Sequence, residues 1–327
     1  MHLLLISLTL LMGAAVGWSI GANDAANSLG TAVGSRVLTL RQAIILICIF
    51  GFLGAFLQGG HVVKTLGKGI VPLHELSKDT ALFIALVSAF AACAWVVLAT
   101  SWKMPISTSH SIVGAVAGAG LAIGAPVRWK VLGDIFACWF FTPIGAAILG
   151  YLFYRIFKSI FYRLIPRKYI RPTMTTLIIL SGCYVAYSWG ANDVANATGV
   201  IVGAGAITPS ISVIVGGLAI LLGITTWGYK VIETIGSEIA HLLPIMAFSA
   251  QMASAINVHV YTCFGIPVST SHSIVGAIFG VGLVKGLRVI NLRTFKDIIF
   301  CWLATPFVSG AIGFLCLKGI GVFVRLN

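Results

Sequence analysis

Charged residues are scarce in this chain, and acidic residues are the scarcest of them. Only 9 % of its 327 residues are charged, with 21 basic and 8 acidic side chains, whereas roughly a quarter of an ordinary soluble domain is charged. Hydrophobic residues make up 59 %, more than a soluble fold normally carries. The composition therefore excludes an ordinary soluble enzyme or binding domain.

Paired cysteines are also missing. The seven cysteines stand singly in apolar segments without a C-x-x-C pair, which favours small buried residues over disulfides or a metal site. A net charge of +13 would suggest nucleic acid binding in a soluble chain, but six basic residues and no acidic one lie between Arg155 and Arg171. Such a cluster between apolar segments is typical of a cytoplasmic loop near anionic lipid headgroups.

Long apolar segments are what the chain has in abundance, each near the ~20 residues that cross a bilayer as a helix. The first, from His2 to Ile20, lacks the basic start of a signal peptide, so we interpret it as mature protein. The sequence predicts an all-α polytopic membrane protein. Its predicted segments are 3–34, 42–63, 79–101, 104–125 and 131–154, then 173–205, 208–228, 242–262, 266–286 and 296–324.

Two motifs occur twice, in the same order. Gly21-Ala-Asn-Asp-Ala-Ala-Asn27 returns as Gly190-Ala-Asn-Asp-Val-Ala-Asn196, and Pro105-Ile-Ser-Thr-Ser-His110 returns as Pro267-Val-Ser-Thr-Ser-His272. A weaker match pairs the segments that end at Trp139 and Trp302. Ordered matches of this kind predict an internal repeat. We expect transmembrane repeats at 1–154 and 173–327, joined by a short basic cytoplasmic linker at 155–172.

Five segments per repeat have a topological consequence. Because five is odd, the second repeat would enter the membrane from the opposite side, which predicts the inverted-topology repeats of many secondary transporters. With the linker in the cytoplasm, both termini are predicted to lie outside.

The first motif predicts a cation site. Asp24 and Asp193 lie between apolar stretches, and a carboxylate at membrane depth is unfavourable by at least ~2.5 kcal/mol, so it usually faces a cavity or an ion. The nearby asparagines share its helical face, and flanking glycines weaken the helix. The alternative is an Asp that bonds neighbouring amides. The expected Na⁺ ligands are Asp24, Asn23, Asn27, Asp193, Asn192, Asn196 and, from a polar stripe in the eighth segment, Gln251.

The second motif predicts an oxyanion site. Pro105 and Pro267 interrupt a helix, and the hydroxyl groups that follow favour a new helix start, as in a broken or re-entrant hairpin. Such starts would turn free N–H groups and positive dipole ends towards an anion. Ordinary capping is the alternative. The expected anion-binding residues are Ser107, Thr108, Ser109, Ser269, Thr270, Ser271, Asn23 and Asn192.

Charge balance links the two motifs. Neither contains Lys or Arg, so an anion between them would meet two carboxylates and no fixed cation. In a site of low dielectric this is prohibitive unless cations enter as well, which predicts coupled transport. His110 and His272 could carry protons or only pack.

The duplicated motifs resemble those of the PiT family of inorganic phosphate transporters, over nearly the whole chain. The resemblance implies import of phosphate by symport with cations, alternating access around a midplane site shared by both repeats, and essential roles for Asp24 and Asp193. It also implies a homodimer in the plasma or inner membrane, with no cofactor besides the co-transported Na⁺ or H⁺. The short central loop indicates a prokaryotic member. Gly51 and Gln251 stand where relatives carry Glu, which leaves the cation and its stoichiometry open, with Na⁺ favoured over H⁺.

Other functions fit less well. A sulfate permease or an H⁺-coupled permease for metal phosphate of the same family would use similar donors. An intramembrane aspartyl protease needs two Asp residues in unlike contexts and no duplicated anion motif. A passive channel would show rings of charge. The sequence therefore predicts a transporter rather than an enzyme.

Overall fold

The computed structural model describes residues 2–104, 106–233, 242–286 and 291–323, so that Pro105 lies outside the described residues. Within these ranges the regular structure is helical, because lipid offers no partners for backbone N–H and C=O groups. The helices are α1 His2–Asp24, α2 Ala26–Gly34, α3 Leu40–Gly69, α4 Lys78–Ser101, α5 Thr108–Ala122, α6 Trp129–Leu164, α7 Arg167–Gly203, α8 Pro209–Thr226, α9 Tyr229–Glu233, α10 Pro244–Cys263, α11 Thr270–Lys285 and α12 Leu292–Phe323.

The helices α5 and α11 are shorter than the membrane-spanning helices of the chain. α5 and α11 have only 15 and 16 residues, about 22–24 Å of helix, which is shorter than the ~30 Å hydrocarbon core and suits re-entrant hairpins with α4 and α10. The prediction of an all-helical, multi-pass membrane protein is confirmed. Six described stretches are long and apolar enough to cross a membrane: His2–Gly34, Leu40–Val63, Lys78–Ser101, Trp129–Leu164, Pro209–Thr226 and Leu292–Ile320.

The junction between the halves is more helical than the sequence suggested. α6 continues to Leu164 and α7 begins at Arg167, so only Ile165 and Pro166 connect them. The basic residues expected in a loop therefore lie on the last turns of α6 and the first turns of α7. The division into two repeats stays a prediction.

The first motif interrupts the helix in only one of its two copies. α1 ends at Asp24 and α2 begins at Ala26, whereas α7 continues without interruption past Asp193. Gly21 has a packing role as well, because a Cβ there would lie 2.0 Å from the carbonyl oxygen of Ile220 in α8.

The two halves are interleaved rather than side by side. α5 packs on α12 and α11 packs on α6, while α1 and α3 pack on α8 and α7. Glycines allow these close contacts, because a Cβ on Gly114 would lie 2.2 Å from the carbonyl oxygen of Pro306. Equivalent close contacts join Gly118 to Gly310, Gly276 to Pro143, and Gly280 to Ala147.

The two hairpin helices end at different ends of the molecule. Beyond α5, Arg128 contacts Glu75 at 3.1 Å, close to the start of α4, where Asp79 lies 2.6 Å from His2. Near the end of α11, Val284 lines a groove with Arg155 of α6. In an inverted repeat the two hairpin helices must end at opposite ends of the molecule, as α5 and α11 do. The inverted topology itself stays a prediction.

Candidate functional site

The serine hydroxyl groups of the second motif start α5 and α11. Ser107 and Ser269 are extended N-cap residues, and their side chains accept hydrogen bonds from the backbone N–H groups of His110 and His272, each at 3.2 Å. The predicted helix starts are therefore confirmed. Both helices turn the free N–H groups of their first turns towards the same buried region.

The first asparagine of each Asp motif braces the hairpin. Asn23 Oδ1 accepts from the backbone N–H of Ile106 at 3.2 Å, and its Nδ2 donates to the carbonyl of Met104 and to Thr100 Oγ1, both at 3.0 Å. Asn192 makes the same contacts with Val268, Ile266 and Thr262 at 3.2, 3.2 and 3.0 Å. Their polar atoms are occupied by backbone and threonine, so their roles as ligands stay predictions.

Asp24 joins both hairpins. Its Oδ2 accepts from Thr108 Oγ1 at 2.8 Å, and its Oδ1 accepts from Ser271 Oγ at 3.0 Å and from Asn27 Nδ2 at 2.9 Å. Only 1 % of the residue is exposed. One buried carboxylate at the end of α1 therefore contacts α2, the hairpin of its own half and the hairpin of the other half.

Asp193 has a similar environment. Its Oδ2 accepts from Thr270 Oγ1 at 2.9 Å, and its Oδ1 accepts from Asn196 Nδ2 at 3.2 Å. Asn196 Nδ2 also lies 3.0 Å from Ser109 Oγ, on the hairpin of the first half. The second carboxylate is thus linked to both hairpins as well.

A short chain of hydrogen bonds connects the two carboxylates. Asn27 Nδ2, which donates to Asp24, lies 3.3 Å from Thr270 Oγ1, and Thr270 donates to Asp193. The hairpin tips also touch, because Ser271 Oγ lies 2.9 Å from the carbonyl of Ile106 and Ser109 Oγ lies 3.0 Å from that of Val268. Most of the predicted residues therefore lie in one buried cluster to which both halves contribute.

No fixed cation balances this site among the described residues. The ion pairs they form are His2–Asp79, His74–Glu75 and Arg128–Glu75, all at exposed positions. Asp24 and Asp193 accept hydrogen bonds only from neutral donors. Two buried carboxylates that share one hydrogen-bonded cluster are strongly unfavourable without cations.

Two amide oxygens beside the carboxylates have no donor in the part of the chain that the structure describes. Asn27 Oδ1 and Asn196 Oδ1 are buried and lack a hydrogen-bond partner among these residues. A buried acceptor without a partner destabilises a protein by about 1–3 kcal/mol. Carbonyl and carboxylate oxygens are the ligands that hard cations prefer, so each Asp–Asn pair offers the donor set of a cation site.

Comparison with known proteins settles the family. The model described as "Phosphate transporter family" matches residues 20–313. The chain belongs to this phosphate transporter family. Its members and relatives are transporters, so the expectation of a transporter rather than an enzyme is confirmed.

Relatives of this family member come from distant organisms. The chain is 31 % identical to a protein of Pyrococcus furiosus named as a phosphate permease, over 97 % of this chain and 96 % of that one. It is also 31 % identical to a chloroplastic inorganic phosphate transporter of Arabidopsis thaliana, over 91 % of this chain and 69 % of that one. A solved structure named as a sodium-dependent phosphate transporter superposes with a TM-score of 0.91 at 28 % identity, over 98 % of this chain and 100 % of that one.

Gln251 of this phosphate transporter lies beside the site rather than in it. Its Oε1 accepts from Ser181 Oγ at 2.6 Å, and its Nε2 donates to the carbonyl of Ser28 at 3.4 Å. Ser28 follows Asn27 directly, so Gln251 contacts the backbone of α2 beside the first Asp motif. Its predicted contact with Na⁺ stays a prediction.

Four rings form a buried cluster behind the hairpin starts. His110 stacks on Trp139 with ring centroids 3.5 Å apart, His272 lies over Trp302 at 3.8 Å, and the two imidazoles are 4.4 Å apart. His110 Nδ1 lies 3.1 Å from the carbonyl of Trp302, and His272 Nδ1 lies 3.1 Å from that of Trp139. Since a carbonyl only accepts, each Nδ1 carries the proton.

Sequence reasoning missed two pairs of site residues. Trp139 and Trp302 end the weakest of the repeated matches, and Thr100 and Thr262 each stand five residues before a motif proline. Their recurrence at equivalent places in both halves is the signal that could have found them.

Proposed function

We propose that this chain is a secondary active transporter that imports inorganic phosphate by symport with Na⁺. The observation that carries the proposal is the pair of buried carboxylates, Asp24 and Asp193, each beside an amide oxygen without a donor and both without a basic partner among the described residues. Such a site accepts cations, while the helix starts beside it favour an oxyanion.

Na⁺ suits this donor set better than a proton does. The unpartnered oxygens of Asn27 and Asn196 belong to amides, which are poor bases near neutral pH but good ligands for a hard cation. Asp24 with Asn27, and Asp193 with Asn196, would each hold one Na⁺. The structural relative named as sodium-dependent supports this choice.

The hydroxyl groups provide a physical route to coupling. Thr108 and Ser271 donate to Asp24, and Thr270 donates to Asp193. A Na⁺ ion bound at each carboxylate would replace these donors, and the released hydroxyl groups would turn to phosphate. Binding of Na⁺ would therefore strengthen binding of phosphate, and by linkage phosphate would strengthen binding of Na⁺ by the same factor.

The position of the site supports alternating access. Its residues are no more than 5 % exposed, and they come from both hairpins, so either hairpin could open a path by moving away from the other. We place the basic ends of α6 and α7 in the cytoplasm and both termini outside, in the plasma or inner membrane. A homodimer stays a prediction.

Uptake by the purified protein tests this function. Proteoliposomes would be placed in external radiolabelled phosphate or sulfate, under an inward Na⁺ gradient, an inward H⁺ gradient or no gradient. We expect phosphate accumulation that depends on Na⁺ and little sulfate accumulation. Accumulation driven by H⁺ alone would refute the Na⁺ assignment, and accumulation of sulfate in preference to phosphate would refute the substrate.

A further inference from the structure

A groove of about 570 Å³ opens just beyond the end of α2, between α6, α7 and α10. Its apolar lining includes Phe161, Met174 and Ile245, while Arg36 and Arg171 supply two guanidinium groups. Among the described residues that line the groove, none is acidic. The groove therefore combines an apolar surface with concentrated positive charge.

Arg36 occupies a backbone position that normally calls for glycine. It follows the end of α2 in the left-handed region, with φ 58°, and the equivalent residue after α7 is Gly205, with φ 75°. Val37 and Ala206 close the two turns with the same backbone hydrogen bond, to Ala32 and Ile201. Glycine adopts this conformation without the steric conflict that a Cβ causes. An arginine at this position therefore points to a role for its side chain.

Two helix starts add to the positive potential. α10 begins at Pro244 without a capping side chain, and α7 begins at Arg167, also without one. Leu243 and Pro244 line the groove, as do residues of the first turns of α7. The free N–H groups and positive dipole ends of these helices favour an anion beside the two arginines.

We propose that this groove binds the headgroup of an anionic phospholipid. Arg36 and Arg171 hold the phosphodiester, for which the planar guanidinium group is well suited, and the acyl chains lie against Phe161 and Met174. Basic pockets between membrane helices are typical binding places for such headgroups. Free phosphate would gain nothing from the apolar lining, which is why the groove favours a lipid.

Lipid binding by the purified full-length chain tests the proposal. Native mass spectrometry and the thermal unfolding midpoint in detergent would be measured with added phosphatidylglycerol, phosphatidylcholine or inorganic phosphate. We expect one retained phosphatidylglycerol and a rise in the midpoint that phosphatidylcholine does not produce. Arg36→Gly and Arg171→Gln should each weaken phosphatidylglycerol binding about tenfold, as expected for the loss of a charge-assisted contact.

The repeat itself supplies the control. Lys103 has φ 59° and its counterpart Gly265 has φ 69°, so Lys103→Gly makes the same change of charge and backbone away from the groove. This variant should keep the full response to phosphatidylglycerol. The proposal would be overturned if Lys103→Gly lost as much phosphatidylglycerol binding as Arg36→Gly, or if both arginine variants kept the full response. The proposal would also be overturned if inorganic phosphate raised the unfolding midpoint as much as phosphatidylglycerol does, and if this rise depended on Arg36.

Discussion

At the scale of single residues, the two asparagines of each motif have different tasks. Asn23 and Asn192 use their polar atoms on the hairpin backbone, whereas Asn27 and Asn196 each keep a carbonyl oxygen without a donor among the described residues. The same residue type is therefore structural at one position and available to a ligand four residues later. In each motif, the asparagine that contacts the hairpin backbone is the structural one.

Replacement of the carboxylates tests the charge argument. Asp24→Asn and Asp193→Asn should each abolish Na⁺-driven phosphate uptake in proteoliposomes, because the amide keeps the shape but removes the charge that balances Na⁺. Asp134→Asn and Asp297→Asn are matched controls, since these residues also recur in both halves but are exposed. Uptake should survive in the controls, and normal Na⁺ dependence in Asp24→Asn would contradict the site.

The unpartnered oxygens predict a subtler effect. Asn196→Ala removes one proposed Na⁺ ligand, so the Na⁺ concentration for half-maximal uptake should rise about tenfold, the effect of losing one contact to a charged group. Asn192→Ala should instead reduce the yield of folded protein, because it releases the backbone of the second hairpin. Unchanged Na⁺ dependence of uptake in Asn196→Ala would argue against a Na⁺ ligand at this position.

At the scale of helices, glycine decides how closely the two halves approach. A Cβ on Gly114 would lie 2.2 Å from the backbone of Pro306, whereas a Cβ on Gly133 would meet nothing within 4 Å. Gly114→Ala should therefore destabilise the protein by about 1–3 kcal/mol through overpacking, while Gly133→Ala should be neutral or slightly stabilising. Thermal unfolding in detergent distinguishes them, and equal midpoints would show that α5 can shift freely on α12.

The ring cluster makes a prediction about rates. His110 and His272 tie the first turns of α5 and α11 to α12 and α6, so His110→Leu should lower the maximal uptake rate more than it raises the half-saturating phosphate concentration. His259→Leu is the control, since His259 bonds Tyr184 outside the site. If only the half-saturating phosphate concentration changed in His110→Leu, His110 would instead contact the substrate.

At the scale of the whole molecule, orientation can be tested by labelling. His74→Cys lies near the start of α4, at an exposed position, and Lys168→Cys lies near the start of α7, also exposed. A membrane-impermeant thiol reagent should label His74→Cys in intact cells, and Lys168→Cys only after lysis. The parent chain, with its native cysteines, provides the background, and the reverse pattern would invert the proposed topology.

Much of this arrangement was predictable because its polar residues repeat within apolar sequence. The helical fold, the starts of α5 and α11, and the residues gathered around Asp24 follow from that contrast. The ring cluster was not predicted, because the recurrence of Trp139 and Trp302 in both halves does not by itself show which rings stack together. The helical junction at 155–172 was missed because basic residues suggest a loop, although they are also compatible with helix ends.

The packing of α5 on α12 and of α11 on α6 makes the molecule resemble a domain-swapped dimer whose two subunits have become one chain. Each half lends its hairpin to the other, and only Ile165 and Pro166 join them. The covalent connection then mainly keeps the two halves at high local concentration. Two separately expressed halves, divided between these residues, should therefore reassemble in one membrane, while either half alone would lack a complete site.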